Sequence, residues 1–107
     1  MKNPTELKIW QAAYDGVMAQ GALAADAFGC HYRLDGLKCG VGHLITDEEA
    51  VKLDDWPIID SITQGDAPEW MTDFPLLLGA VQLAHDNAKD LEEFARRMTK
   101  IKPEATS

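Results

Sequence analysis

Asp35-Gly36, set between two short runs of alternating apolar residues, is the feature that most restricts how this chain can fold. A two-residue hairpin loop of type I′ needs positive φ at both central positions, which Asp tolerates and Gly adopts freely. With that loop, Leu34 faces Leu37, Arg33 faces Lys38, Tyr32 faces Cys39 and Cys30 faces Val41. Side chains alternate along a strand, so Cys30, Tyr32, Leu34, Leu37, Cys39, Val41 and His43 share one face. That face is apolar and needs a cover of helices. The other face carries His31, Arg33, Lys38, Gly40 and Gly42, and either glycine offers a place for a bulge. A central β-hairpin over about residues 30–44 is therefore predicted.

The flanking sequence reads as helices. Asn3-Pro4-Thr5-Glu6 predicts an N-cap, a proline at the first helical position and a capping-box acid. Leu7, Trp10, Tyr14, Val17 and Met18 continue at helical spacing, and Gln20-Gly21 is a stop. Residues 22–29 read equally as helix or connection. Thr46-Asp47-Glu48-Glu49 is a second capping box opening a helix to about Leu53. A short helix over Pro57–Thr63 ends at Gly65, Asp66-Ala67-Pro68-Glu69 starts another, and Pro75 opens one that runs to about His85. Leu91, Phe94, Ala95, Met98 and Ile101 line one side of a last helix, and residues 102–107 form a frayed tail. The expected fold is α+β and helix-dominated, with one domain over residues 1–107.

Charge is segregated along the chain. Between Thr46 and Asp73 stand Asp47, Glu48, Glu49, Asp54, Asp55, Asp60, Asp66, Glu69 and Asp73, against Lys52 alone. Nine acids against one base account for the whole formal charge of −8, because the remaining nine acids and nine bases cancel. No basic footprint for direct nucleic-acid binding is present. Two readings of the segment stand: a solvated face that keeps a small protein dispersed, or a surface that meets a protein with a basic surface. Trp56 and Trp70 sit within it. Each reads either as a core anchor for a short helix or, if exposed, as a hot-spot residue for a partner. The opposed cations Arg33 and Lys38 call for a nearby anion, most simply Asp47 to Glu49 folded back alongside.

The remaining chemistry lies in Cys and His. Cys30, Cys39 and His43 share the predicted hairpin face, and His85 sits on a helix able to cover it. Two thiolates and two imidazoles suit tetrahedral zinc, but no Cys-x-x-Cys knuckle exists and the cysteines are diagonal rather than opposed. Buried cysteines acting as small hydrophobes are the other reading, with no cofactor implied. A thiol enzyme built on Cys30 or Cys39 with His85 and Asp86 fits less well. Adjacent helical residues diverge by about 100°, so Asp86 is poorly placed to orient His85. Gly40-Val41-Gly42 lacks the lysine and strand-to-helix setting of a phosphate loop.

Cys30-His31-Tyr32-Arg33, followed by Asp35-Gly36-Leu37-Lys38-Cys39-Gly40-Val41-Gly42 and Leu44-Ile45 before Asp47-Glu48-Glu49, resembles a group of small uncharacterised proteins from tailed phages and prophages. Val81-Gln82-Leu83-Ala84-His85-Asp86 nearly matches a Leu-Gln-x-x-His-Asp helix of the same group. The resemblance covers roughly residues 7–95 and implies a phage or prophage origin and a shared fold, with no activity attached. The expectation is a non-enzymatic accessory protein acting by protein–protein contact in the cytoplasm of a host bacterium, inhibiting or redirecting a host factor. No secretory signal and no apolar run of the roughly 20 residues that cross a bilayer are seen in the sequence. A zinc-binding or thiol-dependent protein centred on Cys30, Cys39, His43 and His85 is the alternative.

Overall fold

A computed structural model describes residues 3–26 and 29–104 of the chain. Among the described residues it contains five α-helices: α1 (Glu6–Gln20), α2 (Asp47–Leu53), α3 (Ile58–Gln64), α4 (Pro75–Asp86) and α5 (Leu91–Lys100). Two antiparallel two-stranded sheets accompany them, β1 (Ala25–Asp26) with β2 (Gly29–Cys30) and β3 (Arg33–Leu34) with β4 (Leu37–Lys38). The fold is α+β and helix-dominated, as predicted.

Asp35 and Gly36 adopt φ of 50° and 84°, the two left-handed positions of the expected loop. The register is the predicted one, Arg33 opposite Lys38 and Leu34 opposite Leu37. The ladder then stops. Tyr32 and Cys39 do not pair as strand residues, and Cys30 pairs with Ala25 instead of Val41. Val41–Leu44 coils into a short 3-10 helix rather than extending the hairpin to residue 44. Arg33 gives the physical reason. Its Nη1 donates to the carbonyls of Gly42 at 2.7 Å and Tyr32 at 3.1 Å, and its Nη2 donates to that of Ile45 at 2.9 Å. One guanidinium thus gathers backbone acceptors that a ladder would leave apart. Gly42 allows the approach, since a Cβ there would stand 2.5 Å from the Tyr32 oxygen. On the other edge, Gln20 imitates a third strand. Its Oε1 accepts from Lys38 N at 3.0 Å and its Nε2 donates to Lys38 O at 2.6 Å.

The helix boundaries follow their capping chemistry. Thr46 and Glu49 form the reciprocal capping box of α2, and Asp90 caps α5 through Glu93 N. The first helix starts later than expected: Thr5, not Asn3, is the N-cap, accepting from Lys8 N at 3.2 Å, and Asn3 is left-handed at φ 48°. Residues 69–73 form a 3-10 helix rather than an α-helix, because Phe74 and Pro75 cut it short. α3 lacks a side-chain cap of its own. Gln82 of α4 supplies one, its Oε1 accepting from Ile58 N at 2.8 Å.

The core is built on α4, which packs against α1, α3 and α5. Leu77, Leu78, Val81 and Ala84 meet Ile9, Trp10, Ala13 and Val17 of α1 and Phe94 and Met98 of α5. Trp10 stacks on Tyr14, 4.9 Å between centroids, and its Nε1 donates to Met98 O at 2.8 Å, so no polar atom of the ring is stranded. Tyr32, Cys39 and Val41 are buried, as the predicted hairpin face requires, while Leu34 and Leu37 pack at its margin. Just past α5, the Lys102 ammonium lies 5.0 Å over the Trp10 ring. Residues 105–107 of the predicted tail lie outside the described residues. No described helix is long and apolar enough to cross a membrane.

Candidate functional site

The acidic segment folds into α2, α3 and the turns around them, and its nine acids divide by role. Three are engaged internally. Asp47 accepts from Arg33 Nε at 2.8 Å, and this guanidinium holds its carboxyl below the usual range. The anion expected beside Arg33 is therefore the protein's own. Glu49 closes the capping box. Asp55 takes Tyr32 N–H on Oδ1 at 3.0 Å and His31 Nδ1 on Oδ2 at 2.8 Å. Glu48, Asp54, Asp60, Asp66, Glu69 and Asp73 are exposed.

The two tryptophans of the segment separate. Trp70 is half-buried, tilted against Phe74 and packed on the core. Trp56 is 57% exposed, and Val51, one face of α2, is 79% exposed. The backbone beneath the Trp56 ring is fixed: its N–H donates to Leu53 O at 2.9 Å and its carbonyl accepts from the Tyr32 hydroxyl. Gln82 Nε2 donates in turn to the Tyr32 oxygen at 3.1 Å, and burial pushes the phenol upward. Beside this anchor lies a surface cavity of about 350 Å³, lined by Arg33, Asp47, Val51, Asp54 and Asp55 among others. Of its three carboxylates, Asp47 is engaged by Arg33 and Asp55 by Tyr32 and His31, so exposed Asp54, with Val51 beside it, is what the cavity offers another molecule.

His31 is the residue that sequence reasoning missed. Nδ1 faces Asp55 at 2.8 Å and Nε2 faces Asp26 at 3.1 Å. A neutral imidazole can donate from only one nitrogen, so two carboxylates on the two nitrogens select the imidazolium. The hydrogen bonds to Asp55 and Asp26 accordingly raise the His31 pKa. The clamp ties β1 to the turn after α2, where Asp54 and Asp55 are both left-handed at φ 48° and 58°. Such positions cost about 1–2 kcal/mol each for non-glycine residues. Two hydrogen bonds to the Asp55 carboxylate offset that cost. A 24-residue separation hid the pairing; the doublet Asp54-Asp55 before Trp56-Pro57 was the available signal for a left-handed turn.

The Cys and His set is only partly assembled. Donor atoms of Cys30, His85 and Asp86 lie within 4.8 Å of one another. Cys39 lines a small cavity of about 30 Å³ together with Cys30 and Asp86. His43 does not join them: its Nε2 meets Gln20 Oε1 at 3.0 Å, and burial is the first cause of its lowered pKa, ahead of Lys38 and Arg33. His85 is fully buried, and its Nε2 accepts from Ala24 N–H at 3.1 Å. The ring proton therefore sits on Nδ1, 3.3 Å from Asp86 Oδ1. Asp86, which the helical spacing makes poorly placed to orient its neighbour, is thus within reach of the ring. The position of the proton also limits metal binding. A neutral ring has one lone pair, and His85 spends it on Ala24. Neither thiol is primed as a nucleophile: burial, reinforced by Asp86, pushes Cys30 up to about 11, and burial pushes Cys39 up to about 12.

Comparison with protein-family models, with curated proteins and with solved structures finds no match for this chain.

Proposed function

We propose that the protein acts by contact, engaging a basic protein through the acidic surface of α2, α3 and the turn between them. The observation that carries this reading is the exposed Trp56 ring, seated on a hydrogen-bonded backbone within the acidic segment, where Asp54 and Asp60 are exposed as well. Trp10 is buried and Trp70 packs on the core, so the exposure of Trp56 is not a general habit of the chain. A large ring held on a rigid base loses little freedom when covered, which is what makes such residues effective anchors. The surrounding carboxylates would set on-rate and partner choice more than affinity. The resemblance to phage and prophage proteins supports a host bacterial protein as the partner, inhibited or redirected by the contact.

The test is affinity capture from bacterial lysate with the wild type, Trp56→Ala and the double variant Glu48→Lys/Asp60→Lys. Trp56→Ala keeps the backbone groups that bond Leu53 and Tyr32. A basic protein retained by the wild type should be reduced by about tenfold in Trp56→Ala. With the double variant it should bind more slowly and with a flatter dependence on salt. Identical recovery with all three proteins would reject the acidic surface as the contact.

A further inference from the structure

Helix α4 presents a second surface, none of whose residues belongs to the acidic segment. Leu76 and Leu83 stand seven residues apart, on one side of the helix, with Ala80 between them. They are 87% and 59% exposed. Beside Leu83, α4 and α5 border a groove of about 430 Å³ whose lining includes Ala80, Ala84 and Ile101. Arg96, Arg97 and Lys100 also line it. Its one acid, Glu93, is already engaged: Oε1 accepts from Lys89 N at 3.1 Å, and Arg96 and Arg97 each approach it at 3.7 Å. Three cations against one carboxylate leave the groove at +2 on a chain whose net charge is −8.

We infer that this groove docks an acidic amphipathic helix of another protein. Leucines at i and i+7 with a small residue between them form the seam that receives the apolar face of a helix. The cationic rim along α5 fixes the sign of the occupant's flanks. Symmetric pairing of two copies through α4 would bring two cationic rims together, which disfavours an isologous dimer through this face. A phosphate backbone would use the cations and leave the leucines uncovered.

The experiment uses the full chain and a labelled synthetic helical peptide of about 15 residues, with leucine at i, i+3 or i+4, and i+7 and glutamate at the flanking positions. A counterpart carries lysine in place of each glutamate, and binding is read by fluorescence anisotropy. The glutamate peptide should bind at least about tenfold more tightly than the lysine peptide. Leu83→Ser should weaken it by a similar factor, and Arg97→Glu/Lys100→Glu should invert the preference. Leu76→Ser, at the more exposed site, repeats the test should Leu83→Ser lose its fold. Failure of the glutamate peptide to bind, equal binding of both peptides, or indifference to these variants would overturn the inference. So would self-association of the wild type abolished by Leu83→Ser, which would make a second copy the occupant. Tighter binding of a short single-stranded DNA, lost with Arg97→Glu/Lys100→Glu, would assign the cations to phosphate and overturn it equally.

Discussion

His31 shows how far a single residue can depart from what its neighbours in sequence suggest. On the polar side of a predicted hairpin it reads as a surface side chain, yet it joins Asp26 to Asp55 across the molecule. The partner of Arg33 is legible because Asp47 lies just beyond the hairpin and like charges opposite each other demand an anion. That of His31 is not, because Asp55 reaches it only through the left-handed turn after α2. The clamp has a definite pH signature. Its folded pKa is raised by the two carboxylates, so its contribution is fully present below the unfolded value of about 6.5 and is lost as pH rises through the folded value. His43 shifts the opposite way, so the overall pH profile alone would mix the two. The difference in unfolding free energy between the wild type and His31→Asn isolates the clamp. That difference should be largest below about pH 6.5 and shrink steadily as the pH is raised above it. A difference that stays constant with pH would show that the ring is not charged by its partners.

At the level of elements, legibility follows local chemistry. The capping box of α2, the stop at Gly65 and the proline that opens α4 are all written within a few residues, and each boundary falls where that chemistry places it. The second half of the hairpin departs from its sequence pattern because its fate is set by distant groups. Alternation from Cys39 to His43 suits a strand, but Arg33 collects the carbonyls of Gly42 and Ile45, and Cys39 Sγ accepts from Gly42 N at 3.2 Å. The stretch over residues 22–29, which reads equally as helix or connection, contains β1 and part of β2, and His31 N donates to Ala24 O at 2.9 Å next to that pair. The two-pair hairpin of β3 and β4 depends heavily on its loop. Gly36→Val forces a β-branched residue to φ 84° and should destabilise the fold by more than about 1 kcal/mol, measured by denaturant unfolding. Unchanged stability would mean that the loop relaxes to a turn without left-handed residues.

The whole molecule measures 36 × 30 × 19 Å, and its short dimension is about two helices thick. A body this thin gives most helices an outward face, even though α1 and α4 each pack against several other elements. Exposed apolar residues therefore carry information where they coincide with charge of one sign. Val51 and Trp56 do so in the acidic segment, and Leu83 does so beside the cations of α5. The segregation of charge is readable directly from the sequence. Which tryptophan faces solvent is not, because Trp56 and Trp70 have equally acidic neighbours and differ only in what the fold packs against them.

The central claim is that the surface around Val51 and Trp56 is the contact face, and crosslinking tests it whatever the identity of the partner. A photoreactive benzoyl-phenylalanine is placed at position 51 of the acidic face and, separately, at position 11, exposed on α1. The proteins are then irradiated in bacterial lysate. The account predicts one dominant adduct with a basic protein from position 51, none from position 11, and loss of the adduct when Glu48→Lys and Asp60→Lys are added. Equal adducts from both positions, or an adduct from position 51 that survives the charge reversal, would contradict it.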